Sequence, residues 1–229
     1  MDGATTLRTG PAALLVAASA MLIGILTACG GSSSGALRAA SPASHAPASP
    51  SQTPSATPLP TFAGNVNLNV SDDFAAPIPV DWDNATGDAA FAAKNGVPPS
   101  AKTELLLAGP GGGNGVTVPV FIAIQMPDDE AVSPSQFQHA LMANPGGFSE
   151  YLIRSSAPLT IDGAGAYSVV VSGTNPDGRT FEEWEVLADH TGLDGNEHTY
   201  EFVFVSSPEA FASLLPTAQK VVGGLTWSH

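Results

Sequence analysis

Histidine and carboxylate side chains cluster in one short segment near the C-terminal end of the chain. His190 and His198 flank the sequence TGLDGNE. Four acidic residues accompany them: Asp189, Asp194, Glu197 and Glu201. Because imidazole nitrogens and carboxylate oxygens bind divalent metals, a metal-dependent envelope hydrolase that uses residues 189–201 is one hypothesis for the chain. The spacing matches no established ligand motif and is typical of a solvated hairpin loop, so we predict no bound metal.

The only cysteine, Cys29, follows an uncharged apolar run of 18 residues from Pro11 to Ala28. A transmembrane helix needs about 20 apolar residues, so this run is only just long enough to be one. Small residues on both sides of a nucleophilic thiol, in the sequence LTACGG, are instead similar to the bacterial lipobox. There a diacylglyceryl group is attached to the cysteine and the chain is cut just before it. We predict a signal peptide over residues 1–28, cleavage between Ala28 and Cys29, and lipidation of Cys29.

Two glycine-rich motifs have chemical interpretations that their surroundings do not favour. GSSSG (residues 31–35) matches the nucleophile elbow, which requires a strand before it and a helix after it. GPGGGNG (residues 109–115) lacks the Lys-Ser/Thr pair of a phosphate-binding loop and is followed by a strand pattern. The acidic series around residues 72–88 lacks the calcium-loop spacing. We therefore predict no catalytic residue and no cofactor, and we expect the three tryptophans to pack mainly in the core.

Charge is distributed unevenly along the chain. The 229 residues carry a net charge of −14, and residues 66–229 contain 20 Asp and Glu against 5 Lys and Arg. Binding to nucleic acid requires clustered basic residues that neutralise phosphates, so we predict no nucleic-acid partner. One cysteine also excludes a disulfide within the chain, so the fold must be stabilised by an apolar core.

Composition divides the chain into three parts. Residues 29–65 are predicted to be a disordered tether, because Ser, Pro, Ala, Gly and Thr make up 29 of the 35 residues from 30 to 64. Residues 66–229 are predicted to form a single globular domain. Its strand patterns include VTVPVFIAIQM, AYSVVVSG, FEEWEVLA and HTYEFVFVS, the last three expected to form an antiparallel meander with one buried face, in which Glu183 and Glu185 point away from the core.

Two segments show helical periodicity. One begins at Ser133-Pro134 and the other at Ser207-Pro208, where serine precedes a first-turn proline. Pro216 interrupts the second apolar pattern, so we expect a kink or two short helices, followed by a return of LTW to a sheet. This order of elements predicts an α+β fold in which helices pack on an antiparallel sheet.

The sequences PIPVDW (residues 77–82), PDGRTFEEW (176–184) and SPEAFASLLPTAQKVVGGLTW (207–227) occur in an order that resembles the LpqN/LpqT type of actinobacterial, mycobacterial lipoprotein. This resemblance implies a PsbP-like α/β/α sandwich and a place in the cell envelope. It carries no catalytic motif.

These observations favour a binding or scaffold module at the extracytoplasmic face of the cell membrane. Two or more acyl chains, such as palmitate, hold a protein stably at a bilayer. The expected partners are the membrane, through lipidated Cys29, and an envelope protein or a lipid or glycolipid ligand. The metal-dependent hydrolase remains the alternative.

Overall fold

The computed structural model describes residues 56–110, 119–127, 131–134, 136, 137, 139, 141, 149–175 and 178–228. The predicted signal peptide, Cys29 and most of the predicted tether lie outside these residues, as does most of the glycine-rich segment 109–115. Within the described part of the chain, no helix is both long and apolar enough to span a bilayer.

The main element is an eight-stranded sheet with the strand order β1-β7-β8-β9-β10-β6-β5-β4. Its strands are β1 (Thr57–Pro58), β4 (Asp83–Asn84), β5 (Lys102–Ala108), β6 (Val120–Gln125), β7 (Ser149–Ile161), β8 (Ala164–Thr174), β9 (Thr180–Thr191) and β10 (Glu197–Ser206). All neighbours pair antiparallel except β1 and β7, which are parallel.

Among the described residues, a smaller sheet and two continuous helices accompany the main sheet. The strands β2 (Asn67–Val70), β3 (Phe74–Ile78) and β11 (Thr226–Trp227) form a three-stranded sheet with β3 in the centre. Helix α1 (Ala89–Lys94) begins where the Asp88 carboxylate accepts hydrogen bonds from two backbone amides. Helix α2 (Pro208–Gly223) has proline in its first turn and packs against β3, β9 and β10.

Both faces of the main sheet are covered by apolar layers. One face packs against α2 and the small sheet through residues such as Phe74, Phe202 and Val222. The opposite face packs against Phe137 and Leu141, which lie in helical conformation, together with Val97 and Met126. The central strands β9 and β10 are therefore buried on both sides for most of their length.

The predicted α+β class is confirmed, with β8, β9 and β10 in the expected meander. The prediction that the meander buries only one face is wrong, because the layer around Phe137 covers the second face. The expected break at Pro216 is not a division into two helices, since α2 runs unbroken past this exposed residue. Thr226 and Trp227 do return to a strand, but β11 pairs with β3 in the small sheet and does not join the main sheet.

The chain enters the fold before position 66. Thr57 and Pro58 pair with β7, and the side chains of Leu59 and Phe62 pack on the core beneath α2. A Cβ atom added at Gly223 would lie 2.2 Å from the carbonyl oxygen of Pro60, so the helix end approaches this backbone as only glycine permits. We propose that the folded domain begins near Ala56, and we call residues 56–65 the N-terminal strap.

Deletion of the N-terminal strap from the full chain is expected to lower the melting temperature. Leu59 and Phe62 are partly buried, so the loss of their packing costs roughly 1–3 kcal/mol, less than for fully buried side chains, and β7 loses a paired strand. A deletion of equal length, residues 40–49, is the control and should leave thermal unfolding unchanged by circular dichroism. Equal melting temperatures for both deletions would show that the strap contributes nothing to stability.

Candidate functional site

The residues of the predicted metal loop do not converge on one site. His190 lies directly opposite His198 across β9 and β10, so both side chains are on the sheet face that carries Tyr200. Asp189 is opposite Thr199, on the other face, and Glu201 is buried on that face as well. Within the described residues, no group of three or more His, Cys, Asp or Glu side chains could hold a metal ion.

Each histidine of this loop has partners within the fold. The Gln125 amide lies 2.8 Å from Nδ1 of His198, and Nε2 of His198 lies 3.1 Å from the Asp194 carboxylate. Both ring nitrogens of His198 therefore already have hydrogen-bonding partners within the fold. His190 stacks on Trp227, with 4.3 Å between ring centroids and 11° between planes. In the part of the chain that the structure describes, residues 189–201 therefore do not assemble a metal site for the hydrolase hypothesis.

The other candidate residues also have structural roles. Trp82, Trp184 and Trp227 are all buried, as predicted for core residues. The indole N–H of Trp227 donates to the carbonyl oxygen of Ile161. In the acidic series, Asp88 caps α1 and Asp73 accepts a hydrogen bond from Lys102, while Asp72, Asp81 and Asp83 are exposed.

Asp73, Lys102 and Glu104 form a partly buried ion triad between the two sheets. Lys102 Nζ lies 2.9 Å from the Asp73 carboxylate and 2.6 Å from that of Glu104, whose side chain is only 2% exposed. The pairing register of β5 with β6 shifts between Thr103 and Leu105. Glu104 lies at this shift, so its side chain does not follow the regular alternation of sheet faces along β5. Burial raises the pKa of Glu104, although Lys102 opposes this change. Lys102 therefore links a carboxylate that precedes β3 of the small sheet to one on β5 of the main sheet, so the triad joins the two sheets.

A different set of carboxylates is the most unusual feature of the interior. Glu183, Glu185 and Glu201 have at most 2% of their surface exposed. Their register places them opposite Val205, Val203 and Leu187, on the face covered by Phe137 and Leu141. We call these three residues the carboxyl cluster. Carboxylates are rarely buried this deeply, because loss of water strongly disfavours their charged form.

Within the carboxyl cluster, Glu183 holds its proton at neutral pH. Burial, with a further contribution from the charge of Glu201, raises the pKa of Glu183 to about 8. Burial and the charges of Glu185, Glu183 and Glu201 also raise the pKa of Tyr151, which places this ring beside the cluster. A protonated carboxyl group can donate a hydrogen bond and is tolerated in an apolar layer. Because the cluster is buried, its expected effect is that the stability of the fold depends on pH.

Among the described residues, an open groove of about 560 Å³ lies where β7, β8 and β9 meet the start of α2. Three carboxylates line it, from Glu150, Glu182 and Glu209, with one guanidinium, from Arg154. Leu152 supplies exposed apolar surface beside them. We call this feature the acidic groove.

Local backbone geometry places two of these side chains. Glu150 has a φ of 55°, a left-handed conformation that non-glycine residues seldom adopt, at a register shift near the start of β7. Its carboxylate accepts a hydrogen bond from the Thr174 hydroxyl at 3.1 Å. Arg154 donates from Nε to the Ser172 hydroxyl at 2.9 Å, so its side chain lies across β8. The groove therefore has ordered charged groups on its β7 side.

A second groove, about 390 Å³ in volume, lies between α1 and β5 and is mainly apolar. Small residues, including Ala92, Ala93 and Pro98, form most of its wall. It contains few polar groups that could select a ligand.

Sequence reasoning did not identify the acidic groove or the carboxyl cluster. The groove combines residues more than 50 positions apart, from Glu150 to Glu209, and only the strand pairing brings them together. The carboxyl cluster had a visible signal, since Glu183 and Glu185 alternate with buried residues. That alternation was interpreted as solvent exposure because the second apolar layer could not be seen in the sequence.

These features define an α+β domain in which a largely antiparallel sheet lies between two apolar layers. No protein-family model matches the sequence, and no curated protein is similar to it at a significant level.

Solved structures resemble the fold at low sequence identity. LpqN of Mycobacterium tuberculosis, described as involved in cell envelope biogenesis, has a TM-score of 0.48 and 14% identity, over 76% of this chain and 90% of that chain. Cyanobacterial PsbP of Synechocystis sp. PCC 6803 has a TM-score of 0.44 and 10% identity, over 69% and 88%. The Ran-binding protein Mog1p of Saccharomyces cerevisiae has a TM-score of 0.42 and 11% identity, over 71% and 96%.

The stability of the folded domain is expected to fall as pH rises from about 4.5 to about 8, because folded Glu183 keeps a proton that the unfolded chain releases. One such proton contributes up to about 1.4 kcal/mol per pH unit to the slope. Glu183→Gln should remove this contribution when the free energy of unfolding is measured in denaturant at pH 5, 6.5 and 8. Glu182→Gln, at the neighbouring half-exposed position, is the control. An unchanged slope in Glu183→Gln would show that Glu183 is ionised in the folded state.

Proposed function

We propose that the protein is a lipid-anchored binding module of the cell envelope, attached through Cys29 and located at the extracytoplasmic face of the membrane. The lipobox-like sequence LTACGG supports the anchor, and the resemblance to LpqN/LpqT-type lipoproteins agrees with it. A diacylglyceryl group supplies two acyl chains, enough for stable attachment without a membrane-spanning helix.

The observation that carries the proposed binding role is the acidic groove. It is open and lies at one end of the sheet, and it combines charged, hydroxyl and apolar groups in one concave surface. Such a combination suits recognition of a partner, since apolar contact supplies affinity and placed charges supply selectivity.

A protein partner fits this surface better than a lipid. An acyl chain requires a deep apolar cavity, whereas the acidic groove is shallow and carries four charged side chains. The segment between Cys29 and the first strand has 27 residues and can span at most roughly 90 Å, so the groove can reach partners beyond the membrane surface.

Replacement of the anchor residue tests the location. Cys29→Ala should leave the protein soluble or keep it as the uncleaved precursor, because no thiol is available for lipid attachment. Ser32→Ala, three residues away, is the control and should stay in the membrane fraction. Cell fractionation and intact-mass measurement distinguish these products. A Cys29→Ala protein with the mass of the lipidated mature form would disprove lipidation at this residue.

Photo-crosslinking in cells tests the binding role. A benzophenone side chain in place of Leu152, which is 50% exposed in the acidic groove, should form a discrete adduct with a partner protein. The same group in place of Val80, which is 92% exposed and lies outside the groove, should form none. Adducts of equal yield at both positions, or none at Leu152, would reject the groove as a binding site.

A further inference from the structure

The outer edge of β7 borders the acidic groove, and among the described residues only part of this edge is paired. β7 pairs with β8 along most of its 13 residues. On its other side, β1 pairs with Leu159 and Thr160 alone. Among the described residues, no strand pairs with this outer edge between Leu152 and Ser155. Backbone groups at such an edge can form a ladder with an added extended segment.

This edge already accepts one extended segment within the fold. β1 lies along it in parallel orientation, with Thr57 opposite Leu159 and Pro58 opposite Thr160. Proline has no N–H to donate and occurs in sheets mainly on edge strands, which agrees with the position of β1 at the end of the strand order. A further strand placed along Leu152 to Ser155 would therefore pair with the same edge of β7 that β1 already uses.

Side-chain directions connect this edge with the acidic groove. Leu152 lies opposite Ser172 on β8, and Ser172 lies opposite Glu182 on β9. Residues opposite each other in antiparallel strands project from the same face, so Leu152 and Glu182 both face the groove. An added strand would place every second side chain on this face, next to Leu152.

The charge of the groove selects the chemistry of those side chains. Its carboxylates, from Glu150, Glu182 and Glu209, outnumber the single guanidinium of Arg154, which already donates to Ser172. Residues 66–229 as a whole contain 20 acidic and 5 basic residues, which favours association with a cationic partner.

We propose that the outer edge of β7 and the acidic groove together bind an extended segment of a partner protein that carries lysine or arginine at alternate positions. The segment adds as a strand beside Leu152 to Ser155, and its basic side chains reach the groove carboxylates. This inference rests on the proposed binding function and specifies its partner. The two other occupants that could fill the edge are the N-terminal part of this chain and a second copy of the domain.

The experiment measures binding of a fluorescein-labelled peptide, TKVKTKV, to the lipidated full chain in detergent micelles by fluorescence anisotropy. Its three lysines share one face of a strand, and threonine and valine favour extended structure. The peptide TEVETEV, with glutamates in place of lysines, should not bind. Methylation of the peptide backbone nitrogens at either the odd or the even positions separates strand addition from simple charge attraction. One set should abolish binding and the other should not, because only alternate N–H groups face β7.

Matched protein variants locate the site. Glu182→Gln combined with Glu209→Gln should weaken binding of TKVKTKV by about tenfold, since two exposed ion pairs are lost. Asp83→Asn combined with Glu197→Gln removes the same charge from exposed positions outside the groove and should leave binding unchanged. Melting temperatures verify that all variants fold. If Glu209→Gln lowers the melting temperature by destabilising helix α2, the double variant Glu150→Gln/Glu182→Gln provides the same test.

Several results would overturn the inference. Equal binding of both N-methylated peptides would exclude strand addition, and equal weakening by the two double variants would exclude the groove. Dimerisation through this edge, detected by analytical ultracentrifugation, would show that a second copy of the domain occupies the edge. If deletion of residues 30–55 made peptide binding tenfold tighter, the N-terminal part of this chain would be the occupant of the β7 edge. A crosslinked adduct at Leu152 without peptide binding would reject only this inference, whereas the absence of any adduct rejects the proposed function itself.

Discussion

Burial of both faces of strands β9 and β10 is the constraint on which the rest of the structure depends. These strands lie in the middle of the main sheet, and the side chains of one face pack against α2 and the small sheet. The other face packs against the layer that contains Phe137 and Leu141. Side chains on the buried stretches of these strands are removed from water, so the polar ones among them must be neutral or satisfied within the protein. The raised pKa of Glu183 follows directly from this arrangement.

The limits of the two layers explain where the domain is accessible. Helix α2 begins at Pro208 and packs against β9 and β10. The part of the sheet that lies past the N-terminal end of the helix is left open. The acidic groove occupies that open area. At the other end of the helix, Gly223 allows the N-terminal strap to cross close to the backbone. The strap places β1 on the outer edge of β7, so the strap and the acidic groove both border β7.

Much of the secondary structure could be predicted from local pattern. The alternation of AYSVVVSG, FEEWEVLA and HTYEFVFVS placed the meander, and serine followed by proline marked the start of α2, because these signals act between residues near in sequence. The burial of Glu183 and Glu185 could not be predicted. Strand alternation assigns residues to faces of the sheet but does not say whether a face is covered by another layer. The continuity of α2 through Pro216 likewise depends on tertiary packing of its buried face, including Phe211 and Val221.

By itself, the sequence determined the α+β class, the acidic charge of the chain and the lone thiol in a lipobox-like setting, because each is a property of composition or of neighbouring residues. Only the tertiary structure decided which residues meet. It separated Asp189 and Glu201 from His190 and His198, because adjacent residues of a strand project to opposite faces of the sheet. It brought Glu150, Glu182 and Glu209 into one groove, because strand pairing and helix packing join positions that local pattern cannot relate.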